Sequence, residues 1–94
     1  MEQKITLIFK KDLTKLAGNP FGQKTYEEQV KGKVDLTQKI NFIIPSAIDR
    51  VASSFIQGFF SEIVDEIGIV GIEELIDFES SIPDFKDFVL ENLE

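Results

Sequence analysis

Two adjacent serines, Ser53 and Ser54, are the residues of this sequence best placed to carry chemistry. They follow Lys39–Ile44, a segment with the apolar alternation of a β-strand. If a helix begins at Ser53, the serines occupy its N-cap and first positions, where backbone N–H groups lack partners inside the helix and favour an anion. A phosphoserine at this place would be accessible and electrostatically tolerated.

The alternative is a longer helix that begins at Ser46. Ser46 and Asp49 have the spacing of a capping box, and apolar residues recur every three or four positions from residue 48 to residue 67. In that helix the two serines would lie two turns from the start and permit close packing as small residues. The unbroken periodicity favours the longer helix, which would end near Gly68.

Carboxylates are the other abundant groups that could do chemistry, and most lie in the second half of the chain. Mg²⁺ and Ca²⁺ bind carboxylate oxygens, but the Asp-x-Asp-x-Asp-Gly run of a calcium loop is absent. Several of these residues alternate with apolar ones, as on the solvated face of a helix. We therefore predict no metal site and no cofactor. The residues are Glu62, Asp65, Glu66, Glu73, Glu74, Asp77, Glu79, Asp84, Asp87 and Glu91.

The sequence contains neither histidine nor cysteine. This removes the commonest general base, the commonest zinc ligand and every Ser-His or Cys-His pair. It also excludes disulfides and thiolate metal sites. We therefore predict no catalytic residues and a protein that is not an enzyme. A carboxylate-dependent metal hydrolase is kept as the weakest alternative function.

Charge is distributed unevenly along the chain, whose net charge is −7. Residues 1–33 have a balance of +3 and residues 34–94 a balance of −10, with Arg50 as the single arginine. The acidic total argues against nucleic acid as a partner, because phosphate binding requires Lys and Arg. The asymmetry serves solubility, or it provides a basic patch for an acidic partner or for the acidic face of a second copy.

The length of 94 residues predicts a single domain, residues 1–94. The apolar run near the N-terminus is only five residues long and is flanked by charges, which is too short for a signal-peptide core. Nowhere does the sequence contain the roughly 18 consecutive apolar residues that a membrane helix needs. These features predict a cytoplasmic protein without a membrane partner.

Strand and helix patterns alternate along the chain. Apolar alternation predicts strands at Lys4–Lys10, Lys39–Ile44 and Leu75–Glu79. Thr25 and Glu28 have capping-box spacing and predict a helix over Thr25–Lys33; Leu13 and Leu16 suggest a helical turn before it. A last helix is predicted over Asp84–Leu93, and Ser81 and Asp84 before it have capping-box spacing. This order predicts an α/β fold, a mixed or parallel sheet of three to four strands packed against helices.

Val51–Phe59 reads V-A-S-S-F-I-x-G-F and comes after the second main strand. This core resembles the signature of the STAS-like domains of unknown function, a family found in bacteria and their phages. In that family a serine-serine-phenylalanine opens a helix after the second main strand. The Gly18–Gly22 loop and the Leu75–Glu79 strand also fall in the family's order, so the resemblance covers residues 4–92 and implies a small STAS-like layer fold.

The resemblance also implies a function. The parent STAS domains include anti-sigma-factor antagonists, in which a partner kinase phosphorylates a serine at the start of this helix. By position Ser54, with Ser53 beside it, would be the phosphorylated residue. This sequence differs from the phosphorylated pattern at both flanks, with Ala52 in place of aspartate and Phe55 in place of glycine. Helix capping and packing are the alternative roles of the two serines.

We therefore predict a non-enzymatic module for protein interaction and regulation, whose partner is another protein such as an ATPase or kinase. A chain of this size does not hide all of its nine phenylalanines easily, and exposed rings mark partner surfaces. The predicted partner surface comprises Phe55, Gly58 and Phe59. The alternative is a self-associating structural or accessory protein, in which the basic and acidic surfaces of two copies form a homodimer.

Overall fold

Five short strands and three helices make up residues 3–94, the part of the chain that the structure, a computed structural model, describes. The first half holds two strands, one helix and two further strands. A long helix, a fifth strand and a final helix complete the chain. The elements are β1 (Gln3–Thr6), β2 (Lys15–Leu16), α1 (Asn19–Gln29), β3 (Ile40–Ile43), β4 (Arg50–Val51), α2 (Ser53–Leu75), β5 (Ile76–Glu79) and α3 (Phe85–Leu93).

The main sheet has three parallel strands in the order β1-β3-β5. Gln3 pairs with Ile40, and Ile40 pairs with Ile76 in the next strand. Parallel neighbours need a crossover connection, and α1 and α2 lie in the two connections. The predicted α/β class, with a parallel sheet packed against helices, is confirmed. All three predicted strands exist, although β1 ends at Thr6 rather than at Lys10.

The core lies between one face of this sheet and the helices. Ile40, Phe42 and Ile76 point into it and are almost fully buried. The Phe42 ring lies 5.4 Å from that of Phe59 and 6.4 Å from that of Phe60, both edge-to-face. Such aromatic pairs add about 0.5–1.5 kcal/mol each beyond the area they bury. Phe42 therefore joins the sheet to α2.

The opposite face of the sheet carries mostly polar side chains, with Ile43 as its half-buried apolar residue. Lys4, Asn41 and Asp77 form one row across the three strands, and the outer two side chains are exposed. The Asn41 side chain is buried between them and donates a hydrogen bond from Nδ2 to Glu79 Oε1 at 3.1 Å. Asn41 Oδ1 is buried without a hydrogen-bond partner among the described residues. Parallel sheets are usually covered on both faces, whereas charged side chains border this one.

A second sheet, which we did not predict, consists of β2 and β4 alone. Lys15 pairs with Arg50 and Leu16 with Val51, in parallel. The N–H of Ala52 donates to the Leu16 carbonyl at 2.8 Å and extends this pairing to the residue before α2. The helical turn predicted around Leu13 and Leu16 is wrong, because the main chain is extended there to pair with β4.

Helix α1 begins six residues before the predicted start at Thr25. Pro20 lies in its first turn, where the missing N–H costs nothing. Thr25 is buried inside the helix, and its hydroxyl donates to the Phe21 carbonyl at 2.8 Å, so its predicted role as N-cap is wrong. Tyr26 and Val30 are both buried in the core.

Helix α2 begins at Ser53, and the longer helix from Ser46 that the periodicity favoured is wrong. The N–H groups of Asp49 and Arg50 both donate to the Thr14 carbonyl, which holds this segment against the chain before β2. Ile48 still reaches the core, at 1% exposure, from this non-helical segment. The apolar spacing thus predicted correctly that Ile48 is buried, but it predicted wrongly that Ile48 lies in a helix.

Gly68 interrupts α2 with φ 70° and ψ 173°. This conformation is essentially restricted to glycine, so the helix axis changes direction there and continues to Leu75. The predicted end near Gly68 is therefore the end of the first straight segment. Asp84, predicted to lie in a capping box with Ser81, precedes α3 with a left-handed φ of 54° and makes no side-chain cap bond.

Candidate functional site

The two serines lie in the first turn of α2. The preceding residue, Ala52, has an extended backbone, and its carbonyl accepts the N–H groups of Phe55 at 3.1 Å and Ile56 at 3.3 Å. No side chain caps this end of the helix. The first N–H groups of any helix have no intrahelical acceptor, and at this terminus Ser53 and Ser54 carry them.

The hydroxyls of the two serines have different surroundings. Ser54 Oγ accepts the backbone N–H of Gly18 at 3.0 Å in a partly buried position. Gly18 has φ 98°, a value that favours glycine, and immediately precedes α1. Ser54 therefore ties the starts of α1 and α2 together. Ser53 is exposed and makes no comparable bond within residues 3–94.

The predicted partner surface at Phe55, Gly58 and Phe59 is wrong for the folded protein. Phe55 is 3% exposed and Phe59 2%, and both rings pack among other aromatic rings. A Cβ on Gly58 would overlap the backbone carbonyl of Asn19, because α1 crosses α2 at this glycine. These residues form the contact between two helices of the same chain and are closed to a partner.

Beside the start of α2 the structure forms an apolar groove of about 340 Å³. We call it the β4–α3 groove. The wall formed by β2, β4 and the residue after it comprises Lys15, Arg50, Val51 and Ala52, and the wall formed by α3 and the loop before it comprises Ile82, Phe85 and Phe88.

Lys15 and Arg50 place two positive charges at this groove. They are paired directly across the two-stranded sheet, and both side chains are exposed. The ion pairs found within residues 3–94 are Lys31–Glu62 and Lys86–Asp77, and neither includes a groove cation. Like charges directly opposite each other in a sheet are destabilising. This pair is therefore an unfavourable arrangement for folding that an anionic partner would relieve.

Elsewhere the structure shows how individual titratable groups are affected. Burial, followed by the nearby Glu62 carboxylate, raises the pKa of Tyr26. The hydrogen bond to Glu62, with a Nζ–Oε1 distance of 3.0 Å, raises the pKa of Lys31. Hydrogen bonds from the hydroxyl and N–H of Thr37 lower the pKa of Asp35. None of these groups lines the β4–α3 groove.

The acidic residues singled out from the sequence are dispersed. Within residues 3–94 no three or more carboxylates come close enough to hold a metal ion. Glu62 on α2 instead pairs with Lys31 in the turn after α1, and Asp77 pairs with Lys86 at 2.9 Å between β5 and α3. Each of these two carboxylates takes part in an exposed or half-exposed ion pair.

The groove cations were missed in the sequence because each lies in a strand of two residues. A strand this short has no measurable alternation, and Lys15 and Arg50 are far apart in the chain. The one available signal was that Arg50 is the single arginine of an acidic protein.

The described helices, in residues 3–94, do not combine the length and apolar character needed to cross a lipid bilayer. Comparisons of the chain with protein-family models, with curated proteins and with solved structures found no significant match. The resemblance to STAS-like domains therefore stays a prediction.

Proposed function

We propose that this chain is a non-enzymatic protein-interaction module whose β4–α3 groove binds an acidic amphipathic segment of a partner protein. The observation that carries this proposal is the apolar groove with two cations, Lys15 and Arg50, that form no ion pair with any of residues 3–94. Apolar side chains of the partner would cover Ile82 and Phe88, and its carboxylates would meet the cations.

The residues of the β4–α3 groove suit a protein segment better than a small molecule. Phe88 is half-buried and belongs to α3, so a partner side chain can complete its packing. Aromatic residues, phenylalanine among them, and arginine are enriched at protein interfaces. Here both kinds of residue border one groove.

The serines supply the regulation in this proposal. Ser53 directly follows Ala52, a residue of the groove wall, and its side chain is exposed. A phosphate adds a charge of about −1.5 to −2 near neutral pH. Placed on Ser53, the phosphate would offset the positive charges of Lys15 and Arg50. It would therefore weaken the binding of an acidic partner to the groove. On Ser54, the residue that the STAS resemblance implies, a partner kinase would first have to displace the Gly18 hydrogen bond.

The test is a pull-down from native cells with paired variants. We expect Lys15→Ala combined with Arg50→Ala to lose the partner, because both groove cations are removed. The control, Lys24→Ala with Lys39→Ala, makes the same change of charge away from the groove and should retain it. A photocrosslinker at position 88 should join the partner to the groove, and mass spectrometry of the captured protein should report phosphate on Ser53 or Ser54.

Equal recovery of the partner by both double variants would contradict the proposal, provided that circular dichroism shows both to be folded. So would a crosslink that maps outside the groove.

Self-association is the second candidate function, favoured by the opposite charge balances of the two parts of the chain. In that case the acidic surface of one copy would meet the lysines of the other, and salt would weaken the contact. Light scattering across salt concentrations separates the two candidates. A monomer at every ionic strength excludes self-association and leaves the interaction with another protein.

A further inference from the structure

Strand β1 lies at the edge of the main sheet, and its outer side has no neighbouring strand among residues 3–94. In a parallel pair, alternate residues direct both N–H and C=O to the same neighbour. The N–H of Gln3 donates to Lys39 and that of Leu7 to Ile43, so the odd-numbered residues of this segment face β3. Lys4 and Thr6 therefore direct their backbone groups away from the sheet, and within residues 3–94 no strand lies on that side.

The next position along this edge, Ile8, already has a partner that imitates a strand. Gln29 Oε1 accepts the Ile8 N–H at 2.7 Å, and Gln29 Nε2 donates to the Ile8 carbonyl at 2.8 Å. A side-chain amide thus occupies both backbone groups as the peptide of a neighbouring strand would. It closes the edge at Ile8, whereas the pairing positions of Lys4 and Thr6 stay open among the residues that the structure describes.

A groove of about 450 Å³ runs beside these open positions. Its lining includes Lys4 and Thr6 from β1 together with Ile8, Gln29 and Lys33. Ile8 is 73% exposed, an unusual state for a large apolar side chain in a small protein. The groove therefore combines unpaired backbone groups, an apolar contact and two lysines.

We propose that the β1 edge binds an extended acidic segment of a partner protein by strand addition. The backbone of the added strand would pair with the N–H and C=O groups of Lys4 and Thr6. Its carboxylates would meet Lys4 and Lys33, and an apolar side chain would cover Ile8. This surface is separate from the β4–α3 groove, and neither proposal depends on the other.

The positive charge near the β1 edge favours an acidic partner. Seven of the ten basic residues of the chain lie in residues 1–33, the segment that holds β1 and α1. Edge strands that must stay unpaired are commonly protected by charge, and lysine at the edge repels any basic strand. The same lysines attract a strand that carries carboxylates.

The probe is a short blocked peptide of alternating glutamate and valine, titrated into ¹⁵N-labelled full-length protein. We expect saturable shifts of the Lys4 and Thr6 amide signals and slower hydrogen exchange at both, because these N–H groups gain acceptors. A peptide of alternating lysine and valine should not bind. A glutamate–valine peptide with N-methylated backbone should also fail, because it lacks the donors for strand pairing.

Two matched variants test the geometry. Thr6→Pro removes the outward N–H without removing a bond to β3, and proline is tolerated on edge strands. We expect it to abolish peptide binding, whereas Thr6→Val, which keeps the N–H, should bind normally. Lys4→Glu with Lys33→Glu should weaken binding by about tenfold or more, because two attractive charged contacts become repulsive. Lys24→Glu should have little effect.

The proposal is overturned if the acidic peptide gives no saturable shift, or if the N-methylated peptide binds equally well. It is also overturned if Thr6→Pro remains folded and binds as Thr6→Val does. Protection of Lys4 and Thr6 that rises with protein concentration alone would identify a second copy as the occupant instead. Lys15→Ala and Arg50→Ala should leave this binding unchanged, which separates it from the β4–α3 groove.

Discussion

The hydroxyls of Ser53 and Ser54 at the start of α2 have different roles, although the two serines are adjacent in the sequence. Ser54 accepts the Gly18 N–H and so joins two helix starts that are distant in the chain. Ser53 is exposed beside the groove wall. Replacing Ser54 therefore tests the contribution of a hydrogen bond to stability. Replacing Ser53 tests only the role of an exposed hydroxyl.

We expect Ser54→Ala to lower the free energy of unfolding by about 1 kcal/mol, the usual net value of one protein hydrogen bond. The Gly18 N–H would lose its acceptor in a partly buried place. Ser53→Ala is the matched control and should change stability by less than about 0.5 kcal/mol, as exposed substitutions do. Urea denaturation of both variants measures the difference. Equal losses in the two variants would show that the Gly18 bond contributes nothing.

The elements show where sequence patterns were sufficient and where they failed. Strong alternation at residues 39–44 located β3, and the spacing of Phe85 and Val89 located α3. The start of α2 was misplaced because Ile48 and Val51 continue the helical spacing by coincidence, from a turn and from β4. Tertiary pairing with the Thr14–Leu16 segment decides the conformation there, and no local pattern records it.

The candidate site was predictable in part for the same reason. The serines were placed at a helix start by one of the two readings of the sequence, and the structure selects that reading. The β4–α3 groove was not predictable, because Lys15, Arg50 and Phe88 come from three separate elements. Only the folded arrangement brings them to one surface.

At the bend of α2 we expect Gly68→Ala to lower the free energy of unfolding by about 1–3 kcal/mol. Its φ of 70° and ψ of 173° are strained for any side chain, even though a Cβ there would have open space. Val70→Ala is the control on the same helix, because Val70 is 67% exposed. Thermal unfolding compares the two. A Gly68→Ala protein as stable as Val70→Ala would mean that the helix straightens without cost.

On the scale of the whole molecule, a single aromatic core joins the sheet to the helices. Phe42 on β3 contacts two phenylalanines of α2, and its ring stacks at 6.1 Å on that of Phe78 in β5. A domain of this size has a free energy of unfolding of about 5–15 kcal/mol. The loss of one such ring is therefore a large part of the total.

We expect Phe42→Ala to lower the free energy of unfolding by about 3–5 kcal/mol, since it removes a fully buried ring and leaves a cavity. Ile8→Ala, at a strongly exposed apolar residue, should change it by about 0.5 kcal/mol or less. Chemical denaturation monitored by tyrosine fluorescence reports both, because Tyr26 lies in the core. If Phe42→Ala lowers the free energy of unfolding by less than about 1 kcal/mol, Phe42 does not join the sheet to the helices in a single core.

The all-parallel order of β1, β3 and β5 has a kinetic consequence. Gln3 meets Ile40, and Ile40 meets Ile76, so no pair of neighbouring strands can form as a local hairpin. Each pairing must wait for a long loop to close, which slows folding relative to a helical protein of equal length. During synthesis on the ribosome, β1 therefore emerges long before its neighbour, and the charge of Lys4 helps to keep the waiting strand from joining another nascent chain.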